Sequence, residues 1–168
     1  MLKLSFLSLL LISSFASAEE ERRADAHAHG LNNFSMVISQ NQVAITYEMP
    51  IVQLLNEHDE HDEHDKLSVS GESLAEFQNY SQLFSFPKGA NCDLVSFKSE
   101  LHSVSTEGDH KDVELSYEFS CNEPSQLKSI TINAFNRFSE LENLYFEAVI
   151  NNKALTKSLK SDVDKVIF

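Results

Sequence analysis

The stretch Val113-Glu114-Leu115-Ser116-Tyr117-Glu118-Phe119-Ser120-Cys121 decides the fold. Apolar and polar side chains alternate through it without a break, so an extended chain presents one apolar face and one face of carboxylates and hydroxyls. Upstream, Val95, Phe97 and Leu101 alternate before a loop containing Glu107-Gly108-Asp109. Further upstream, Phe34, Met36 and Ile38 alternate, and so do Val43, Ile45, Tyr47 and Met49. The turn-like Gln40-Asn41 between them predicts a hairpin, and Pro50 ends its second strand. Downstream, strand patterns run from Leu127 to Ile132, from Leu144 to Ile150, from Ala154 to Leu159 after Asn151-Asn152, and from Val163 to Phe168.

One segment reads as a helix. Ser73 and Glu76 form a capping box, Leu74, Phe77, Leu83 and Phe84 share much of one face, and Pro87 and Gly89 stop the run. Phe135 and Phe138 fit a short helix between two strands. Strands dominate, so the expected fold is mostly β: an antiparallel β-sandwich-like domain with one or two short helices packed on it.

The first eighteen residues predict export. Lys3 supplies the positive start, Leu4 to Phe15 form an apolar run, and Ala16-Ser17-Ala18 gives the small-x-small pattern that signal peptidase accepts. The run is shorter than the roughly 20 apolar residues that a bilayer span needs. An uncleaved anchor is the alternative, but Glu19, Glu20 and Glu21 follow the site at once. Cleavage after Ala18 leaves about 150 residues, one domain with a real core. The expected organisation is a mobile acidic tail over 19–25 and a single β-rich metal-binding domain over 26–168. A disordered His/Asp/Glu-rich insertion in that domain is expected at 57–66.

The chain has 26 acidic against 13 Lys and Arg side chains and a formal net charge of −13. That balance opposes binding to nucleic acid or to anionic membranes, both of which need a basic face. No membrane insertion is expected after signal cleavage. A cationic partner fits instead, either a protein or a metal ion. Two cysteines are present, Cys92 and Cys121. In an oxidising compartment an isolated pair is most simply a disulfide, and thiolate ligands are the alternative, for which a CxxC-type spacing is missing.

Seven histidines carry the functional reading. Glu57-His58-Asp59-Glu60-His61-Asp62-Glu63-His64-Asp65-Lys66 repeats every three residues and holds no apolar side chain, so it cannot pack into a core. Imidazole is a common zinc ligand, and Asp59, Asp62 and Asp65 can supply oxygen ligands beside His58, His61 and His64. The bland alternative is a solvated acidic linker. Binding by such a run is exchangeable and multi-register, and protons compete with metal as the pH falls.

His27 and His29 lie in Asp25-Ala26-His27-Ala28-His29-Gly30. Alternate residues of an extended chain point the same way, so both imidazoles can face one ion. Two ligands do not close a site; a third can come from Asp25, His102 or His110. His102 and His110 bracket the loop between the two strongest strand patterns, with Glu107, Asp109 and Asp112 nearby. Leu101 belongs to the apolar face, so His102 is expected to point toward water, as an ordinary surface residue does.

These residues together resemble the ZrgA (zinc-regulated gene A) family of bacterial periplasmic proteins. The matching pieces are Asp25-Ala-His-Ala-His29-Gly30, Tyr47-Glu-Met-Pro50, Leu83-Phe84 with Pro87, Ala90 and Cys92, and His110-Lys-Asp112 leading to Tyr117, Phe119 and Cys121. The aromatic Phe135–Phe138 stretch before a Leu-rich strand also fits. The resemblance implies a periplasmic zinc-binding protein made under zinc limitation and linked to zinc uptake through the envelope; a zinc transporter component of the envelope is an expected partner of a protein that hands its ion on. Metal binding then maps onto His58 to Asp65, and His27, His29 and His110 match the histidines of the family's motifs. The loop from Ser103 to Asp109 holds no histidine, a departure from relatives with longer insertions.

Zinc is the expected ion, although copper and nickel suit similar ligands. Catalysis is not expected: His-Glu-x-x-His, Gly-x-Ser-x-Gly and a phosphate-cradling glycine loop are all absent. The competing reading is a non-catalytic envelope interaction module whose acidic run docks on a basic protein.

Overall fold

The computed structural model describes residues 31–54, 74–103, 111–161 and 165–168. The predicted hairpin is present: β1 (Leu31–Ser39) pairs antiparallel with β2 (Gln42–Pro50), with Ser39 opposite Gln42 across the turn. Gln40 takes a left-handed backbone there, φ 57°. β3 (Phe84–Ser85) follows a run of short helical turns. β4 (Cys92–Ser103) and β5 (Lys111–Cys121) form a second hairpin, and β6 (Ser129–Ile132) leads into α1 (Ala134–Arg137). β7 (Asn143–Ile150) and β8 (Lys153–Lys160) form a third hairpin, and β9 (Lys165–Ile167) closes the order. Asn151 and Asn152 both have positive φ, 49° and 66°, as a two-residue hairpin turn of the mirror type requires.

Six strands form one sheet in the order β4-β5-β2-β1-β7-β8, and β3, β6 and β9 form a second. The second sheet and most of the first are antiparallel, but β1 and β7 run parallel, with Phe34 opposite Phe146. The alternating residues fall as their pattern requires. Val43, Ile45, Tyr47 and Met49 are buried on β2, as are Val113, Leu115, Tyr117, Phe119 and Cys121 on β5. The domain is mostly β and sandwich-like, as expected from sequence.

Phe84 sits where the two sheets meet. Its ring lies 5.4 Å from those of Phe34 and Tyr117 and 5.9 Å from that of Phe119, so the small sheet's first strand packs against β1 and β5 of the large sheet. Leu74 and Ala75 are α-helical, as expected, but the expected continuation of one helix through Phe84 is corrected. Residues 76–78 and 80–82 form separate one-turn 3-10 segments, and Phe84 pairs with Ile132 as a strand. Asn79 interrupts the run with ψ 76°, and its carboxamide oxygen accepts from Ser81 Oγ at 2.7 Å. Asn and Ser side chains compete in this way for local partners, and the burial of Phe77, Leu83 and Phe84 decides the path. The predicted cap at Ser73 lies outside the described residues. The short helix around Phe135 is present as α1, and Asn133 ties its start to the turns through Asn133 Nδ2 and Ser81 O at 2.8 Å.

Cys92 and Cys121 stand opposite each other on β4 and β5 and form a disulfide. The thiolate-ligand alternative is thereby excluded for this pair.

Candidate metal centre

The register fixes which strand ends share one end of the large sheet. β1 begins at Leu31, opposite Asn143 at the start of β7. Asn33 pairs with Glu48 near the end of β2, and Pro50 at that end pairs with Asp112 at the start of β5. Ser103 at the end of β4 pairs with Lys111. Leu31, Pro50, Ser103 and Lys111 therefore lie at the same end. These are the points at which the histidine-bearing parts of the sequence join the described domain. His27 and His29 precede Leu31, the 55–73 segment with His58, His61 and His64 follows the 3-10 turn Ile51–Leu54, and His110 precedes Lys111.

His27, His29, His58, Asp59, His61, Asp62, His64, Asp65 and His110 lie outside the described residues. The backbone of His102 is described, in register with Asp112. Among the described residues no three His, Cys, Asp or Glu side chains come together as a metal site.

What the described residues do contribute is carboxylate. Glu48 on β2 pairs with Glu114 on β5, which in turn pairs with Glu100 on β4. Three glutamates thus occupy directly opposed positions on three neighbouring strands, with Asp112 two residues from Glu114. Glu48 Oε2 accepts from Asn33 Nδ2 at 3.2 Å, and Glu114 Oε1 from Ser116 Oγ at 3.0 Å. Glu100, Asp112 and Glu114 all have interaction partners within the chain. Like charges set directly opposite each other on a sheet repel, and these interactions within the chain offset that repulsion. Sequence alone names the outward positions of each strand; it does not reveal that these three meet, because that depends on which strands pair and in what register.

A buried polar network lies just behind. Asn32 is wholly buried and donates through Nδ2 to the Tyr47 hydroxyl at 2.6 Å and to Gln53 Oε1 at 3.0 Å. Its Oδ1 is buried and has no hydrogen-bond partner among the described residues. Burial raises the Tyr47 pKa well above the usual phenol value, partly countered by the Asn32 hydrogen bond. The network ties the start of β1 to the turn after β2. Sequence reasoning missed it: Asn32 precedes the alternating run and carries no apolar signal.

Fold and site together define a class: a two-sheet β domain whose histidine-bearing segments join it at one carboxylate-lined end. The chain belongs to the ZrgA family, since the family model described as "ZrgA family zinc uptake protein" matches residues 26–168. That membership gives it a zinc-related role. No curated protein matches the chain. No helix among the described residues is long and apolar enough to cross a membrane.

Proposed function

We propose that the protein is a non-catalytic periplasmic carrier that captures zinc outside the cytoplasm and supports its uptake or buffering in the envelope. The observation that supports this reading is the shared end of the sheet, where Leu31, Pro50 and Lys111 stand. β1 and β5 are separated by β2 alone, so their backbones are about 10 Å apart. His29 is two residues from Leu31 and His110 one from Lys111, and two residues of extended chain reach about 7 Å. His27, His29 and His110 can therefore ligate a single ion without any rearrangement of the sheets, with His102 or a nearby carboxylate as a further ligand. A zinc site held by three or four such groups satisfies the ion's tetrahedral preference.

In this reading His58, Asp59, His61, Asp62, His64 and Asp65 gather ions in exchangeable fashion and raise their local concentration beside the tighter site. An envelope zinc transporter component is the proposed recipient. Calorimetric titration with zinc of the protein and of a variant lacking 57–66 tests the proposal. The expected result is that deletion removes the weaker sites and leaves the tighter one. Absence of zinc binding by either protein would overturn it. The outward row Glu48, Glu114 and Glu100 also favours a second reading, an acidic surface that docks a basic envelope protein. Charge reversal at Glu48 and Glu100 separates the two: loss of such a partner by that variant, in a protein that retains no zinc, favours the second reading, and zinc retained at the tighter site favours the first.

A further inference from the structure

The large sheet has two edges, β4 and β8, and they are built differently. On β8 the register sets Lys153 opposite Ile150, Lys157 opposite Phe146 and Leu159 opposite Leu144, whose side chain is fully buried. Two lysines thus take core-side positions on that strand. Charges placed there keep a further chain from adding to an edge. β4 carries no such guard. Its positions opposite Tyr117, Leu115 and Val113 are Phe97, Ser99 and Leu101.

β4 is also long and uncovered by any described strand. It has 12 residues, about twice the usual strand length. Leu101 is 43% exposed and Val95 65%. A bulge between Leu94 and Ser96 bends only its first part, and the pairing with β5 is regular from Ser96 to Ser103.

We propose that β4 pairs antiparallel with β4 of a second copy of this chain, about a twofold axis at Ser99. In that register Lys98 of each copy stands opposite Glu100 of the other, and Phe97 of each stands opposite Leu101 of the other. Directly opposed residues share a face, so the charged pairs meet on the outer face and the apolar pairs on the core side. Moving the axis to Lys98 opposes Lys98 to itself, and moving it to Glu100 opposes two glutamates. The strand's own charges therefore select the Ser99 axis, and the pairing joins the two large sheets into one. The inference stands independently of zinc binding.

Sedimentation equilibrium of the protein, stripped of metal by a chelator, tests it. A ladder this narrow predicts a weak dimer, with a dissociation constant of about 1–100 μM. Leu101→Lys places a charge on the core side of an already exposed position, and it is expected to be monomeric throughout that range. Lys98→Glu opposes like charges at two places and is expected to weaken the dimer about tenfold. Because Glu100 already has an interaction within the chain, the decisive variant swaps both charges. Lys98→Glu with Glu100→Lys is expected to restore the dimer to within about threefold of the original. A protein that stays monomeric across the range, or a dimer whose dissociation constant Lys98→Glu leaves unchanged, overturns the proposal.

Discussion

Asn32 and Tyr47 hold the first hairpin together from inside: the Asn32 amide donates to the Tyr47 hydroxyl at 2.6 Å, and both residues are wholly buried. The same amide nitrogen reaches Gln53, so one side chain joins β1, β2 and the turn from which the 55–73 segment departs. Among the described residues Asn32 Oδ1 has no hydrogen-bond partner, so the fit of this side chain rests on its amide nitrogen.

Tyr47→Phe removes one of the two acceptors on Asn32 Nδ2 and leaves the other on Gln53. The expected loss of unfolding free energy is about 1–2 kcal/mol, read from the urea midpoint at unchanged slope. A midpoint that does not move would show that the hydroxyl contributes nothing net.

Tyr117 extends the argument to alkaline pH. Its hydroxyl donates to the Phe77 carbonyl oxygen at 2.8 Å, and burial raises its pKa above the usual phenol value, as it does for Tyr47. The unfolded chain releases these protons first, near pH 10. The stability they contribute is therefore complete below about pH 10 and is lost as the pH rises toward the folded-state values. Urea midpoints taken between about pH 8 and pH 11 are expected to fall only in the upper part of that range. Tyr117→Phe is expected to flatten the fall, and an equally steep fall in that variant would assign the titration to other groups.

The disulfide allows a cleaner separation of roles. Cys92 and Cys121 are 29 residues apart in sequence, and in the chain-entropy model the bridge stabilises the fold by about 3–4 kcal/mol. Replacing both residues by alanine is expected to lower the unfolding free energy by about 2–4 kcal/mol while leaving zinc stoichiometry unchanged. A lost zinc equivalent in a folded variant would mean that the pair supports the metal site as well as the fold.

The strands were legible because alternation reports a half-buried face directly: Val113 to Cys121 and Val43 to Met49 needed nothing else. The Asn151-Asn152 turn was legible because its backbone conformation favours few residue types. The parallel pairing of β1 with β7 was not, since alternation says which face is buried and nothing about which strand lies alongside. Phe84 misled because seven residues after Phe77 fits a helical face, whereas its burial against Phe34 and Tyr117 is a tertiary effect. The candidate site divides in the same way. Histidines declare their chemistry in the sequence, while the Glu48, Glu114 and Glu100 row exists only once the register is known.

The sharpest expectation concerns His29 and His110, which join the domain at Leu31 and Lys111 on one end of the sheet. If both hold the same zinc ion, either alanine substitution destroys much of the tight site, and the second then has little left to remove. The loss in binding free energy for the double variant is expected to fall well short of the sum of the single losses, by about 1 kcal/mol or more. Independent sites would instead give additive losses. The measurement should be made in the background lacking 57–66, so that the repeat does not mask the effect. Repeating it below about pH 6.5 adds a second check, because imidazole must be neutral to ligate and protons then compete with zinc. Affinity is expected to fall with pH in the parent and to fall less in the double variant. Additive losses together with an unchanged pH dependence would place these two histidines at different ions or at none.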